Sequence, residues 1–448
     1  MTATPVTVEA TPVRRLERSL GVGFGVAVGV GTMIGAGILR SPAEVARQLP
    51  NPWLFLGAWL LGGTWALLGA NAVAELATTV PRSGGQYVFV RRALGPYAGF
   101  LVGWNDWLST TASVAAVAIV EAEALGALVP RLASHQVLIA ELAVVITTLV
   151  LVRGLRESDR AQRTTSVVKA LVLLALIGAC LVWRLGNAVD GTAGPPPAAP
   201  HGLALFAALA VALQGIIFAF DGWVGVAYFS GEVREPGREI PRALITGLLA
   251  TLAIYLLVNV AFLAVLPMSA IAASPLAAAS AASVVFGANG GTLVQLLVAL
   301  ALPSALVANT LCGSRVIFAL AEDRLAPASM AGVNAGGAPA PALLASAIAA
   351  AVFLLSGTFE RLIAICAFLF VASYSLSFLS VFVLRRREPD TVRPYRAWGH
   401  PWTTTLVLLA SLAFLGATLA ADLRGAAIVA VLLVLSYPAY RVIARRGA

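Results

Sequence analysis

Residues 31–39 read Gly31-Thr32-Met33-Ile34-Gly35-Ala36-Gly37-Ile38-Leu39 and sit inside a long apolar stretch. Glycine costs about 1 kcal/mol relative to alanine in a helix interior, so glycines at mid-membrane depth need a reason. Gly21, Gly25 and Gly29, four residues apart, suit close packing against another helix. Gly35 and Gly37 do not, because residues two apart face different directions on a helix. They mark a place where the helix unwinds. Residues 218–223, Phe218-Ala219-Phe220-Asp221-Gly222-Trp223, show the same oddity, a carboxylate beside a glycine in the middle of another apolar run. An ionisable group at that depth costs a few kcal/mol and faces a cavity or a partner. It can equally cap a second half-helix. Both readings require the chain to break at Asp221-Gly222.

The rest of the chain is built for lipid. Hydrophobic residues make up 59% of 448 and charged residues 11%, with a mean hydropathy of +0.90, a balance that excludes a water-soluble domain of this size. Apolar runs near the roughly 20 residues needed to cross a bilayer recur throughout. They predict an all-α polytopic membrane protein of about twelve spans, starting near Leu20, Trp53, Tyr97, Val137, Thr165, Leu203, Ala243, Thr292, Ala342, Leu362, Thr404 and Ala426.

The net charge of +9 comes from 29 arginines and one lysine placed in short loops, not on a polar helix face, so it reports topology and not nucleic-acid binding. The N-terminus, Arg82 to Arg92, Arg153 to Arg163, Arg234 to Arg242, the surroundings of Arg324, Arg385 to Arg396 and Arg441 to Arg446 are rich. Arg131, Arg184, Arg361 and Arg424 are nearly all the basic charge expected on the other side. The positive-inside rule then puts both termini in the cytoplasm. Residues 1–18 read as a cytoplasmic tail with no cleavable signal, 19–388 as the transport core, and 389–448 as a loop and two C-terminal spans. Among the connectors, Gly186 to Pro200 reads as a loop, and Met268 to Gly290 as a short surface helix over an external vestibule or a plain connector. Cys180, Cys312 and Cys366 fall in apolar runs and read as small buried hydrophobes.

Breaks in the first and sixth spans are the sequence pointer to an inverted-repeat transporter with its site at the bilayer midplane. The backbone groups freed by a break cannot stay unsatisfied in lipid, and a substrate can satisfy them. The N-terminal end of a half-helix suits a carboxylate, and free carbonyls at the C-terminal end of another suit an ammonium. An α-amino acid carries both.

Further residues extend the pattern: Ile38, Pro42 and Val45 after the first break; Trp59, Gly62, Gly63, Ala74-Glu75-Leu76, Pro81, Ser83, Gly84, Gly85, Tyr87, Gly95 and Gly103-Trp104; then Gly231-Glu232-Val233, Pro236, Ile240, Pro241 and Ala243. Later come Ser314-Arg315, Ala319, Asp323, Leu325 and Pro327, and Pro394-Tyr395-Arg396 with Gly399 and Pro401. From about Gly21 to Pro401 this order resembles the amino acid/polyamine/organocation transporter superfamily. The resemblance implies two inverted repeats of five helices plus two C-terminal helices, working by alternating access. It implies a substrate carboxylate near Met33, Ala36 and Gly37 and an amine near Phe218, Ala219 and Asp221, with Phe218 closing over the substrate. Ala36 stands where the family often has serine, which leaves recognition to backbone N–H groups. Lys169, the lone lysine, resembles one that replaces sodium in some members by bridging the fifth helix to the broken first helix; snorkelling to the interface is the plainer reading. The bridge favours proton coupling or exchange over sodium.

Neutral amino acids are the expected substrates, because Met33, Ala36, Phe218 and Phe220 offer an apolar pocket and no second buried carboxylate is apparent. A cationic amino acid or polyamine held by Asp221 is the alternative. A membrane enzyme is disfavoured because His135, His201 and His400 lie in or near loops, and no metal or cofactor site is expected. A membrane-embedded sensor would need a signalling domain. The resemblance implies that some members pair with a partner subunit through a cysteine in the loop after the third span; residues Leu128 to Gln136 contain none, so no disulfide-linked partner subunit is expected. High Arg and Ala with almost no Lys fits a GC-rich bacterial genome, hence an inner membrane.

Overall fold

The computed structural model describes residues 29, 33–82, 84–153, 159–187, 200–228, 230, 233–334, 337–355, 358–421 and 423–447. The N-terminal tail, most of the first span up to Thr32, Ser83, residues 188–199 and Gly231-Glu232 lie outside them. In lipid each backbone N–H and C=O must bond within its own segment, so the apolar runs become helices. In chain order these are α1 (Ala36–Gln48), α2 (Pro52–Thr79), α3 (Gln86–Leu94), α4 (Pro96–Leu128), α5 (Gln136–Val152), α6 (Asp159–Gly186), α7 (Leu203–Phe220) and α8 (Gly225–Tyr228). There follow α9 (Pro236–Val265), α10 (Met268–Ala273), α11 (Ala277–Phe286), α12 (Ala288–Glu322), α13 (Ala340–Leu354), α14 (Phe359–Arg387), α15 (Trp402–Ala421) and α16 (Leu423–Gly447).

Among the described residues, nine helices are long and apolar enough to cross a membrane: α2, α4, α5, α6, α7, α9, α12, α14 and α15. The chain is an all-α polytopic membrane protein. Helices α13 and α16 occupy the places of the expected ninth and twelfth runs, although α13 has only 15 residues. Starts are set by local chemistry. The Asn51 side chain accepts from the N–H groups of Trp53 and Leu54, and Pro52 takes the first helical position, where no N–H is needed.

Burial ranks the helices. The most apolar stretches of α4 and α14 are each 78% buried, whereas those of α5 and α6 are 28% and 22% buried. Helices α4 and α14 therefore form the centre and α5 and α6 the lipid-facing edge. Helix α4 packs on α12 and α14, α2 on α9, and α1 on α7.

The segment from Met268 to Gly290 forms two short helices, each with one face packed on the bundle and the other exposed. Helix α10 packs on α1, and α11 lies against α12 with Ala277, Ala278, Ala279, Ala281 and Ala282 buried. Alanine's small side chain permits that approach. Arg47 at the end of α1 donates from Nε to the Ala272 carbonyl at 2.8 Å, fixing the connector to the end of α1.

At the arginine-rich end, residues 388–401 fold back on α2. Both oxygens of buried Glu75 accept from Arg385, at 2.8 and 2.6 Å, and Oε2 also accepts from the Ala397 backbone N–H at 2.7 Å. Arg393 adds a third charge contact at 3.5 Å. Beside it, Asn71 Oδ1 accepts from the Tyr395 hydroxyl at 2.7 Å.

Candidate substrate site

Both expected breaks are present. Helix α7 ends at Phe220, Asp221 follows with φ −59° and ψ 150°, and the short α8 begins at Gly225. Gly222 has φ +103°, a conformation that L side chains rarely adopt, so glycine is required there. In the first span, Ile34 and Gly35 leave the helix and α1 starts at Ala36. Gly37 corrects the expectation attached to it. It lies inside the first turn of α1, and a Cβ placed on it would come within 2.5 Å of the Ala219 Cα and 2.9 Å of the Ala219 Cβ. Its reason is close packing between α1 and α7, not unwinding.

Between the breaks lies a cavity of about 410 Å³. Met33, Gly35, Ala36, Gly37, Phe218, Asp221 and Gly222 all line it, so seven of the residues singled out from sequence meet in one place. Ala219 stands behind the wall against Gly37. Gly35 is the N-cap of α1 and its position carries no side-chain cap. The first N–H groups of a helix have no intrahelical partner, and here they abut the cavity with the positive end of the helix dipole. The two breaks are joined by Tyr255 of α9, whose buried hydroxyl lies 2.6 Å from the Met33 carbonyl oxygen and 2.8 Å from that of Ala219. One hydroxyl proton serves both carbonyls. The Tyr255 ring is held by Trp59 and Phe220, with centroids 5.7 and 4.9 Å away.

The cavity opens toward the arginine-rich loops. A stripe on α12, from Ala305 through Asn309 and Cys312 to Arg315 and Glu322, lines it, and Glu322 is exposed beside Arg324. Cys312 thus departs from its expected burial, whereas Cys180 and Cys366 are buried.

The opposite end is closed. Phe218 meets Phe359 edge-on with centroids 5.7 Å apart, and the Arg40 guanidinium lies 5.3 Å from the Phe359 centroid. Arg40, only 6% exposed, bonds Glu44 at 2.8 Å, Glu360 at 3.1 Å and Glu123 at 3.2 Å. Arg40 and Arg47 were missing from the sequence tally of basic charge at this end. Both pair with Glu44 and Glu360, so they leave this face without a net positive patch.

Asp106 of α4 is the main residue that sequence reasoning missed. It is 4% exposed, lines the same cavity, and accepts at Oδ2 from the Tyr228 hydroxyl at 3.0 Å. The expectation of a single buried carboxylate is overturned. The signal was available: a charged residue inside an apolar run, the same signal that exposed Asp221. Asp221 in turn accepts from the Tyr374 hydroxyl at 2.6 Å. Lys169 sits half-buried on α6, which packs on α9 and α11. The part of the first span up to Thr32 that its bridge would reach lies outside the described residues.

Known proteins are similar to this sequence along most of its length. The serine/threonine exchanger SteT of Bacillus subtilis is 28% identical over 417 residues, covering 91% of this chain and 92% of the relative. An uncharacterized transporter of Mycobacterium tuberculosis is 36% identical over 328 residues, 71% of this chain and 69% of the relative. The b(0,+)-type amino acid transporter 1 of Mus musculus is 25% identical over 401 residues, 85% and 79% of the two chains. The profile of the family described as amino acid permease matches residues 25–436, and the chain belongs to that family.

Proposed function

We propose that this permease carries neutral amino acids by alternating access between two inverted five-helix repeats. The uncapped start of α1 facing the end of α7 across one cavity carries the reading. The substrate carboxylate accepts from the N–H groups of Ala36 and Gly37 beside Met33, and the amine lies by the Phe218 carbonyl and Asp221, with Ala219 supporting the wall. Met33, Val117 and Phe370 give the cavity an apolar side for an aliphatic side chain. A relative named as a serine/threonine exchanger accords with neutral cargo. Phe218, Phe359 and the Arg40 cluster act as the closed outer gate. The distribution of arginine supports a cytoplasmic membrane location with both termini inside.

Coupling is sodium-independent, by proton symport or by exchange, with Lys169 providing a fixed cation in place of sodium. No covalent partner subunit and no catalytic step are invoked. The test uses Cys312, which lines the cavity. In proteoliposomes a saturating substrate is expected to slow its modification by a small thiol reagent, and uptake is expected to persist without sodium. Uptake that requires sodium would sink the coupling assignment; a Cys312 rate that no amino acid changes would sink the site.

A further inference from the structure

Behind the substrate site, helices α2, α7 and α15 enclose a second cavity of about 250 Å³. Gly62, Ala210, Ile217 and Phe414 are buried and form its floor, whereas Leu61, Phe206 and Ala413 are exposed at its rim, so it opens away from the bundle as a groove. Each of the three helices contributes a glycine or an alanine, which leaves room that a larger side chain would fill. Among the described residues that line it, only Trp65 carries a hydrogen-bonding side-chain group, and its indole N–H donates to Ser411 of α15 at 2.9 Å. A water needs two to four polar partners and finds none here. Helix α15 leaves the arginine-rich end at Trp402, so Ala410 to Ala417 run toward the far leaflet. From Phe206 to Ile217 helix α7 rises about 17 Å at about 1.5 Å per residue, close to the depth of one leaflet of a roughly 30 Å hydrocarbon core.

The groove touches the substrate site at two points. Ile217 lines the groove, and its neighbour Phe218 lines the substrate cavity. The Trp65 ring centroid lies 5.8 Å from that of Tyr374, the donor to Asp221. We propose that the groove seats one acyl chain of a phospholipid from the leaflet opposite the arginine-rich loops, and that the seated chain backs the end of α7 against the substrate site. Hydrocarbon is the material that the exposed Leu61 of α2 and Leu409 and Leu412 of α15 meet in a membrane-spanning chain, and the groove continues that surface inward. The seat stands on the groove alone; its link to transport rests on an amino acid being bound between the two breaks.

The experiment reconstitutes the full chain in vesicles of phosphatidylethanolamine and phosphatidylglycerol, doped with a phospholipid bearing a diazirine on one acyl chain, and maps photolabelled peptides by mass spectrometry. Labelling of the groove residues of α7 and α15 is expected to exceed that of the exposed Leu142 and Ile146 of α5 by about threefold or more. Ala413→Phe, which fills the groove from its rim, is expected to lower the groove labelling about fivefold and leave α5 unchanged. Coupling between two sites is reciprocal, so a saturating mixture of the standard amino acids is expected to change the wild-type groove labelling about twofold. Equal labelling of groove and α5, or groove labelling that Ala413→Phe does not lower, overturns the seat. Efficient disulfide cross-linking between copies through Ala413→Cys overturns it as well, because the groove is then an interface between two copies of this chain. Groove labelling that ignores a mixture able to protect Cys312 overturns the link to transport. If Cys312 is unprotected too, the seating of the amino acid fails and the link falls with it, while the lipid seat is judged by the labelling alone.

Discussion

Tyr374 of α14 donates a 2.6 Å hydrogen bond to Oδ1 of Asp221, across the break that separates α7 from α8. The tyrosine is itself clamped, with Trp223 and Trp65 ring centroids 5.0 and 5.8 Å away. The bond fixes the carboxylate's direction. Tyr374→Phe is expected to raise the KM for substrate about tenfold, the scale of one hydrogen bond to a charged group, about 1.5–3 kcal/mol. Steady-state uptake over a concentration series checks it; an unchanged KM would mean Asp221 is oriented by its backbone alone.

Gly37 of α1 packs directly against Ala219 of α7, with no room for a Cβ. Gly37→Ala is expected to abolish transport while the protein still inserts. Adding Ala219→Gly is not expected to rescue it, because the nearest atom is the Ala219 Cα, at 2.5 Å. Uptake normalised to membrane-inserted protein is the measurement, and rescue by the double variant would show that only the two side chains collide.

Arg40 and Glu360 differ in burial, with side chains 7% and 43% exposed. Removing the buried cation leaves Glu44 and Glu123 without it, a loss on the order of 3–5 kcal/mol, whereas a half-exposed carboxylate contributes at most about 1 kcal/mol. Arg40→Gln is therefore expected to lower the melting temperature in detergent far more than Glu360→Gln. Equal shifts would show that the cluster is solvent-screened throughout.

Glu75 is 3% exposed at its side chain and Arg393 is 6% exposed. Glu75→Gln keeps the shape but removes the charge that both Arg385 and Arg393 face. Faster tryptic cleavage at Arg396 is the expected result, read from peptide masses after brief digestion. A digestion pattern like wild type would place the hold on this loop elsewhere, for instance in Asn71.

Sequence alone reached the helical membrane fold because a bilayer allows few backbone solutions, and it reached the Asp221-Gly222 break because charge and glycine coincide in an apolar run. Asp106 carried the same signal but was passed over, sitting in a polar-flecked stretch, Trp104-Asn105-Asp106-Trp107, beside family-like Gly103-Trp104. Tyr255 and Tyr374 gave no signal at all, since a tyrosine in an apolar helix is ordinary until its hydroxyl finds a partner; the partners here are 36 to 222 residues distant. Gly37 was noticed for the wrong reason, because a sequence shows that a side chain is missing but not what fills its place.

The shared proton of Tyr255 makes the two breaks a coincidence detector. Because one hydroxyl reaches the carbonyls of both Met33 and Ala219, and Gly37 seats α1 directly on Ala219, neither half of the site can shift without disturbing the other. On the proposed seating, a ligand bearing only an amine or only a carboxylate would engage one half of a pair that moves together, so the site would favour a ligand that carries both.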